Sequence, residues 1–284
     1  MIADPGMNAM DWQNRRTLAA SGFAESAVDS PVGTQTYFSA GEGRPILLLH
    51  GAGDSAAAWV KAAPALLATR QYRILIPDLP GHGTSQPHSG ALDIEIFLEG
   101  VNAVACQGME APVILIGNSL GAWLAMVWAD RNPRRVERIV AVDGSGLTGI
   151  RDDLALRPAD REEARRLWQT LVDSSYWNVP EMVYDEMIRR GRVGAVSRMA
   201  FDRMKQFVMD GRLADFQTPV DLIWGESDGL LPLDYARTVA ALLPMARLST
   251  IPGCGHVPQL ECAERFNTLL GGLLNQSPPD RSTT

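Results

Sequence analysis

Short unbroken apolar runs recur along this chain, and the stretches between them carry a helical rhythm. Residues 46–49, 113–116, 138–142 and 220–224 are too short for helices and rich in branched side chains. Such runs predict strands buried on both faces. Further strands are predicted over 35–39, 73–77 and 248–251. Helices fit 57–68, 94–107, 120–131, 235–243 and 263–274. Alternating strands and helices predict the α/β class: a doubly wound, mostly parallel sheet, with its chemistry at the C-terminal ends of the strands.

From Gly144 to Leu213 the strand runs stop, and charged helical segments take over at 158–172, 180–190 and 195–209. The chain therefore divides into a first core part (1–143, with residues 1–20 as an added arm), a helical insertion (144–214) and a second core part (215–284).

The chemistry starts at Gly-Asn-Ser119-Leu-Gly, which follows the run ending at Ile116 and leads into a helical stretch. Strand, Gly-x-Ser-x-Gly, helix is a nucleophile elbow, so tight that glycines must flank the serine. The pattern alone arises often by chance; in this context it asks the rest of the chain for a base, an acid and an oxyanion hole. Such sites follow the chain order Ser, Asp/Glu, His. His50, His82 and His88 precede Ser119, which leaves His256, in a Gly/Pro loop after a predicted strand. The order argument favours the catalytic role over that of an ordinary loop histidine.

Three acids end strands between Ser119 and His256: Asp143, Glu226 and Asp228. Asp228 is preferred, because it stands deeper in the Gly225-Glu-Ser-Asp228-Gly turn. Asp143 reads as a turn-capping aspartate and Glu226 as a solvated rim charge. Leu49-His50-Gly51-Ala52-Gly53 closes another strand, and its glycines let an amide face the serine. The oxyanion hole is assigned to the backbone N–H groups of Ala52 and Leu120. His50 reads as a buttress of that loop.

Together these pieces resemble the α/β-hydrolase superfamily, from about Thr34 to Leu274. The supporting stretches are His50-Gly-Ala-Gly with Trp59, Asp78-Leu-Pro-Gly-His-Gly83, the Ser119 elbow, Trp224-Gly-Glu-Ser-Asp228 and Gly255-His256. The resemblance implies that the helical insertion is a cap over the site and that Asp78 and His82 belong to a structural loop. Within the superfamily the chain looks most like the branch of meta-cleavage-product hydrolases, which split a C–C bond in vinylogous diketo acids. Asn118, Pro232-Leu-Asp234, Cys254-Gly-His256 with Gln259 and Glu261, and Gly191-Arg192-Val-Gly-Ala carry that likeness. It implies substrate contacts from Asn118, Arg192 and Val257. Arg192 is also readable as one more solvated arginine beside Arg189 and Arg190. The chain departs from the branch at Val257, where a tryptophan is usual, at Gly53-Asp54-Ser55, where Gly-Pro-Gly is usual, and at Ala122, where a glycine is common.

Composition narrows the picture. A net charge of −7, with no basic stripe, argues against nucleic acid. No apolar stretch is long enough to span a membrane, and the first residues lack the apolar segment of a secretion signal. Cys106, Cys254 and Cys262 are odd in number and irregularly spaced, resembling neither a disulfide framework nor a zinc site. That reading favours a reducing cytoplasm. Methionines and tryptophans of the insertion (Met182, Met187, Met199, Met204, Met209, Trp168, Trp177) suit both a core and a roomy apolar pocket. The expected partner is a small-molecule substrate; no metal or organic cofactor is required, and a homo-oligomer is left open. Hydrolysis of a small, fairly apolar carboxylic ester through a Ser119–Asp228–His256 triad is the first reading. C–C hydrolysis of a meta-cleavage product is the alternative, and a non-catalytic ligand-binding protein on the same scaffold is the minor one.

Overall fold

Strands form at β1 (Ala24–Ser30), β2 (Gly33–Ala40), β3 (Arg44–Leu49), β4 (Tyr72–Pro77), β5 (Val113–Asn118), β6 (Val136–Val142), β7 (Val220–Gly225) and β8 (Ala246–Ile251). They join in one sheet ordered β1-β2-β4-β3-β5-β6-β7-β8. The β1–β2 and β2–β4 pairs are antiparallel and every other pair is parallel. The structure is a computed structural model that describes residues 3–107, 112–144, 146–147 and 156–280.

Every residue of β5 and β7 is buried, as expected of central strands covered on both faces. Alternate side chains feed two apolar layers. Leu47, Leu49, Leu115, Leu222 and Trp224 pack with α3 (Ile94–Ala105), α4 (Leu120–Arg131) and α8 (Leu233–Leu242). Ile46, Leu48, Ile114, Ile116 and Ile223 pack with α1 (Ala9–Ala20), α2 (Ala63–Ala68) and α10 (Ala263–Leu274). Inside this apolar frame sits one ionic cluster. Arg138 of β6 donates to Asp221 of β7 at 3.2 Å and to the carbonyl oxygens of Leu273 and Gln276. Arg247 reaches the other Asp221 oxygen at 2.7 Å, so both oxygens of the buried carboxylate are paired.

The predicted strands all form; the sequence reading omits β1. Its residues AESAVDS are polar and largely exposed at the sheet edge, so they lack the apolar run that betrays the central strands. The predicted helix 57–68 divides into a 3₁₀ turn (Ala56–Trp59) and α2, with Pro64 at the start of α2. The expected N-terminal arm is helical from Ala9. Asn8 caps α1 in a capping box with Asp11, and Arg15 is buried against Asp78, Glu25 and Thr84.

Between β6 and β7 the insertion supplies α5 (Arg161–Leu171) and α6 (Glu181–Val193), as its charged periodicity predicts. Residue 145 and residues 148–155 of the insertion lie outside the described residues. The single helix expected over 195–209 is broken into a 3₁₀ turn (Ala195–Arg198), the short α7 (Phe201–Met204) and another 3₁₀ turn (Lys205–Phe207). No helix among the described residues is long and apolar enough to cross a membrane.

Candidate active site

β5 ends in the elbow and α4 begins immediately after it, so the serine occupies the turn between them. Ser119 has φ 53° and ψ −115°, a conformation that non-glycine residues rarely adopt and that is held here by its surroundings. Its N–H donates to the Val142 carbonyl at 3.0 Å. The flanking glycines are sterically required. A Cβ on Gly117 would stand 2.3 Å from the Gly121 carbonyl carbon, and one on Gly121 would stand 2.2 Å from the Leu49 carbonyl oxygen. Ala122 fills the third motif position without conflict, packing under Gly144.

The β3 loop lies against this elbow: a Cβ on Gly51 would be 3.4 Å from the Ser119 Cβ. Ala52 is exposed in that turn, and Leu120 is the first residue of α4. Among the described residues neither amide has a hydrogen-bond acceptor, as befits donors kept for a ligand oxygen. Two buried histidines shape the turn. His50 Nδ1–H donates to the Gly51 carbonyl at 2.8 Å, and its Nε2 accepts from the Leu79 N–H at 2.9 Å. His82 Nε2 accepts from the Gly53 N–H at 3.1 Å. Burial, with the nearby His82, pushes His50 down to about 3, and burial lowers His82 likewise. Both are therefore neutral buttresses. Asp78 anchors the same region by accepting from the Ala56 and Thr84 amides and from Arg15.

After β7, the Asp228 carboxylate meets His256: Oδ2 lies 2.7 Å from Nδ1, with both side chains buried. Its other oxygen accepts from the Leu230 and Leu231 amides at 2.8 and 3.0 Å, which leaves the carboxylate oriented from both sides. Glu226 is exposed and accepts from the Thr250 hydroxyl. Asp143 is fully buried and donates its backbone N–H to the Ile223 carbonyl. Burial first, and the neighbouring Asp228 second, raise its carboxyl well above the usual carboxylate range.

The histidine loop is bound to the insertion. The His256 N–H donates to the Leu171 carbonyl at the end of α5, at 2.7 Å. Glu261 accepts from the Gly255 amide at 3.0 Å and the Asp173 amide at 2.9 Å, so one side chain joins the loop to the insertion. That clamp is not evident in the sequence, because both donors are backbone groups.

Two further site residues are placed, and one expectation, on the cysteines, is corrected. Asn118 is buried, and its NH₂ donates to the carbonyls of Val142 (3.1 Å) and His256 (3.0 Å), tying the elbow to the histidine loop. Arg192 is exposed and donates to the Ala159 carbonyl at 2.8 Å, a contact within the insertion. Cys254 and Cys262 are paired in a disulfide with a Cα–Cα distance of 6.1 Å, closing a short loop around His256. Irregular spacing concealed the pair because the turn, not the sequence interval, brings them together. Cysteine usage thus gives no argument for a reducing compartment. Cys106 is free and exposed. Val257 is half-buried where α9 (Pro258–Glu261) begins.

Comparison with known proteins fits this layout. The 2-hydroxymuconate semialdehyde hydrolase of Pseudomonas sp. (strain CF600) is 28% identical, over 92% of this chain and 94% of that one. The 2-hydroxy-6-oxo-6-phenylhexa-2,4-dienoate hydrolase of Burkholderia cepacia is 28% identical, over 81% of this chain and 87% of that one. The meta-cleavage product hydrolase CumD of Pseudomonas fluorescens IP01 superposes with a TM-score of 0.75 at 22% identity, covering 88% of this chain and 97% of that one. The model of the alpha/beta hydrolase family matches residues 46–269, and the chain belongs to that family.

Proposed function

We propose that this chain is a serine hydrolase that cleaves a C–C bond in a vinylogous diketo acid of the meta-cleavage type. The observation that carries the chemistry is the buried Asp228–His256 pair beside an elbow whose serine has both flanking glycines. The substrate class rests on the likeness, over most of the chain, to relatives whose names state that activity.

In this reading Ser119 Oγ attacks the keto carbonyl of the substrate's keto tautomer while His256 Nε2 takes the hydroxyl proton. Asp228 holds Nδ1–H and stabilises the imidazolium. The Ala52 and Leu120 amides receive the oxyanion, each donor being worth about 3 kcal/mol in the transition state. When the oxyanion collapses and the C–C bond breaks, the electron pair leaves with the other fragment as a dienolate, which takes the proton from His256 and departs as the dienol. An acyl-enzyme remains on Ser119, and water deprotonated by His256 releases it as a carboxylic acid. The nucleophile, base, acid and two amides that these steps use are all in the chain. The insertion, tied to the histidine loop through Leu171 and Glu261, is the cap that covers the substrate.

Ester cleavage by the same residues is the second reading. One observation favours it: Arg192, the cation expected to hold a substrate carboxylate, points away at the Ala159 carbonyl, and a neutral ester needs no such cation. A single assay separates the two. Purified protein is given a yellow ring-fission dienolate and, separately, short p-nitrophenyl esters. Rapid bleaching of the dienolate with slow ester turnover supports C–C hydrolysis. Fast ester turnover with a persistent yellow colour overturns it in favour of the esterase.

A further inference from the structure

The triad uses one of two carboxyl groups packed together beside the imidazole. Asp143, one residue beyond β6, has a side chain with no exposure and a left-handed backbone (φ 42°). Its Oδ1 accepts from the Gly225 N–H at 2.9 Å. Its Oδ2 is buried and has no hydrogen-bond donor among the described residues. Ligand atoms of Asp143, Asp228 and His256 all lie within 4.8 Å of one another.

Two adjoining buried carboxylates cannot both stay ionised, so one carries a proton. The hydrogen bonds decide which. Asp228 already accepts from Leu230, Leu231 and His256, three donors that favour its charged form. Asp143 accepts from one amide and has an orphaned oxygen, so the proton belongs on Asp143. Protonated at Oδ2, the orphan becomes a donor with an acceptor beside it. Glu261 also bears on Asp143 and disfavours a second negative charge there.

We propose that Asp143 is a positioning residue: a neutral carboxylic acid whose Oδ2–H donates to the Asp228 carboxylate and holds it in place for His256. The inference rests on the triad reading. It adds a fourth member, which orients the acid without adding a second negative charge near the imidazole.

Infrared difference spectroscopy, which needs no turnover, tests it directly. Wild type minus Asp143→Asn at neutral pH is expected to show a protonated carboxylic-acid C=O band. No band overturns the proposal, and because Ser119 labelling by a fluorophosphonate is scored on the same samples, that failure is distinct from failure of the triad. Asparagine tolerates the left-handed backbone and keeps both a donor and an acceptor, so the variant is expected to fold. The acid limb of its pH profile should stay unmoved and its kcat/KM should exceed that of the alanine variant, since one neutral donor replaces another. If Asp143 were instead ionised, the substitution would remove a negative charge beside the imidazole and move that limb to lower pH, which overturns the proposal. Asp143→Ala, which has no donor, should lose about tenfold in kcat. Its acid limb should move to higher pH, because an Asp228 stripped of its donor holds the imidazolium more strongly.

Discussion

Asp228 is gripped on both oxygens: one lies 2.7 Å from His256 Nδ1, and the other accepts the Leu230 and Leu231 amides. This fixes the imidazole tautomer, with Nδ1 carrying the hydrogen and Nε2 free to act as the base. Asp228→Asn preserves the shape but presents the wrong group to Nδ1. A fall in kcat of about 10³–10⁴-fold with little change in KM is expected from steady-state kinetics. A fall of less than tenfold would mean that another carboxyl partners His256.

Asn118 stands next to the nucleophile and yet works as a brace, through the carbonyls of Val142 and His256. Asn118→Ala takes the side-chain donor from the buried His256 carbonyl, while Val142 keeps the Ser119 N–H, and should cost about 1–3 kcal/mol in urea unfolding. Because the brace positions the histidine loop, kcat should fall while KM holds. A raised KM with unchanged kcat would restore Asn118 to the substrate's surroundings.

How far these roles were legible in the sequence depends on the kind of signal. Ser119, Asp228 and His256 were singled out because a fixed chain order and strand ends constrain them, and Asp228 does lie against His256. The central strands were readable from apolar runs, since burial on both faces leaves its mark on composition. β1 was not, because an exposed edge strand carries polar residues. The bonds of Asn118 and Arg192 were not legible, because a donor's residue type says nothing about which acceptor the fold will offer, and both donate to backbone carbonyls. The Cys254–Cys262 pair was hidden because the chain between them folds back through α9, which cysteine spacing does not reveal.

Arg192→Ala tests the reading of that residue as a solvated arginine. The guanidinium is exposed and bonded within the insertion, so its loss should change kcat and KM by less than about twofold on either substrate class, and stability by no more than about 0.5 kcal/mol. A KM increase of tenfold or more, confined to substrates bearing a carboxylate, would show that the arginine swings in to bind them.

His50 gives a pH prediction. Burial, with the nearby His82, keeps the folded protein from taking a proton there down to about 3, whereas the unfolded chain takes the proton near 6.5. Below about 6.5 the unfolded state binds more protons at this site, so its contribution to stability falls as pH falls. Measured by urea unfolding, the stability of wild type relative to His50→Gln should drop by up to about 1.4 kcal/mol per pH unit between about 6.5 and 5. A pH-independent difference would mean that the imidazole is not held neutral.

The most direct test of the account lies at Ser119. A fluorophosphonate probe should label wild type stoichiometrically, with mass spectrometry placing the adduct on Ser119. Ser119→Ala should take no label and lose several orders of magnitude in kcat, on the order of 10⁶ as in the best-studied serine triad. Undiminished turnover by Ser119→Ala, on ring-fission dienolates or on esters, would contradict the account at its centre.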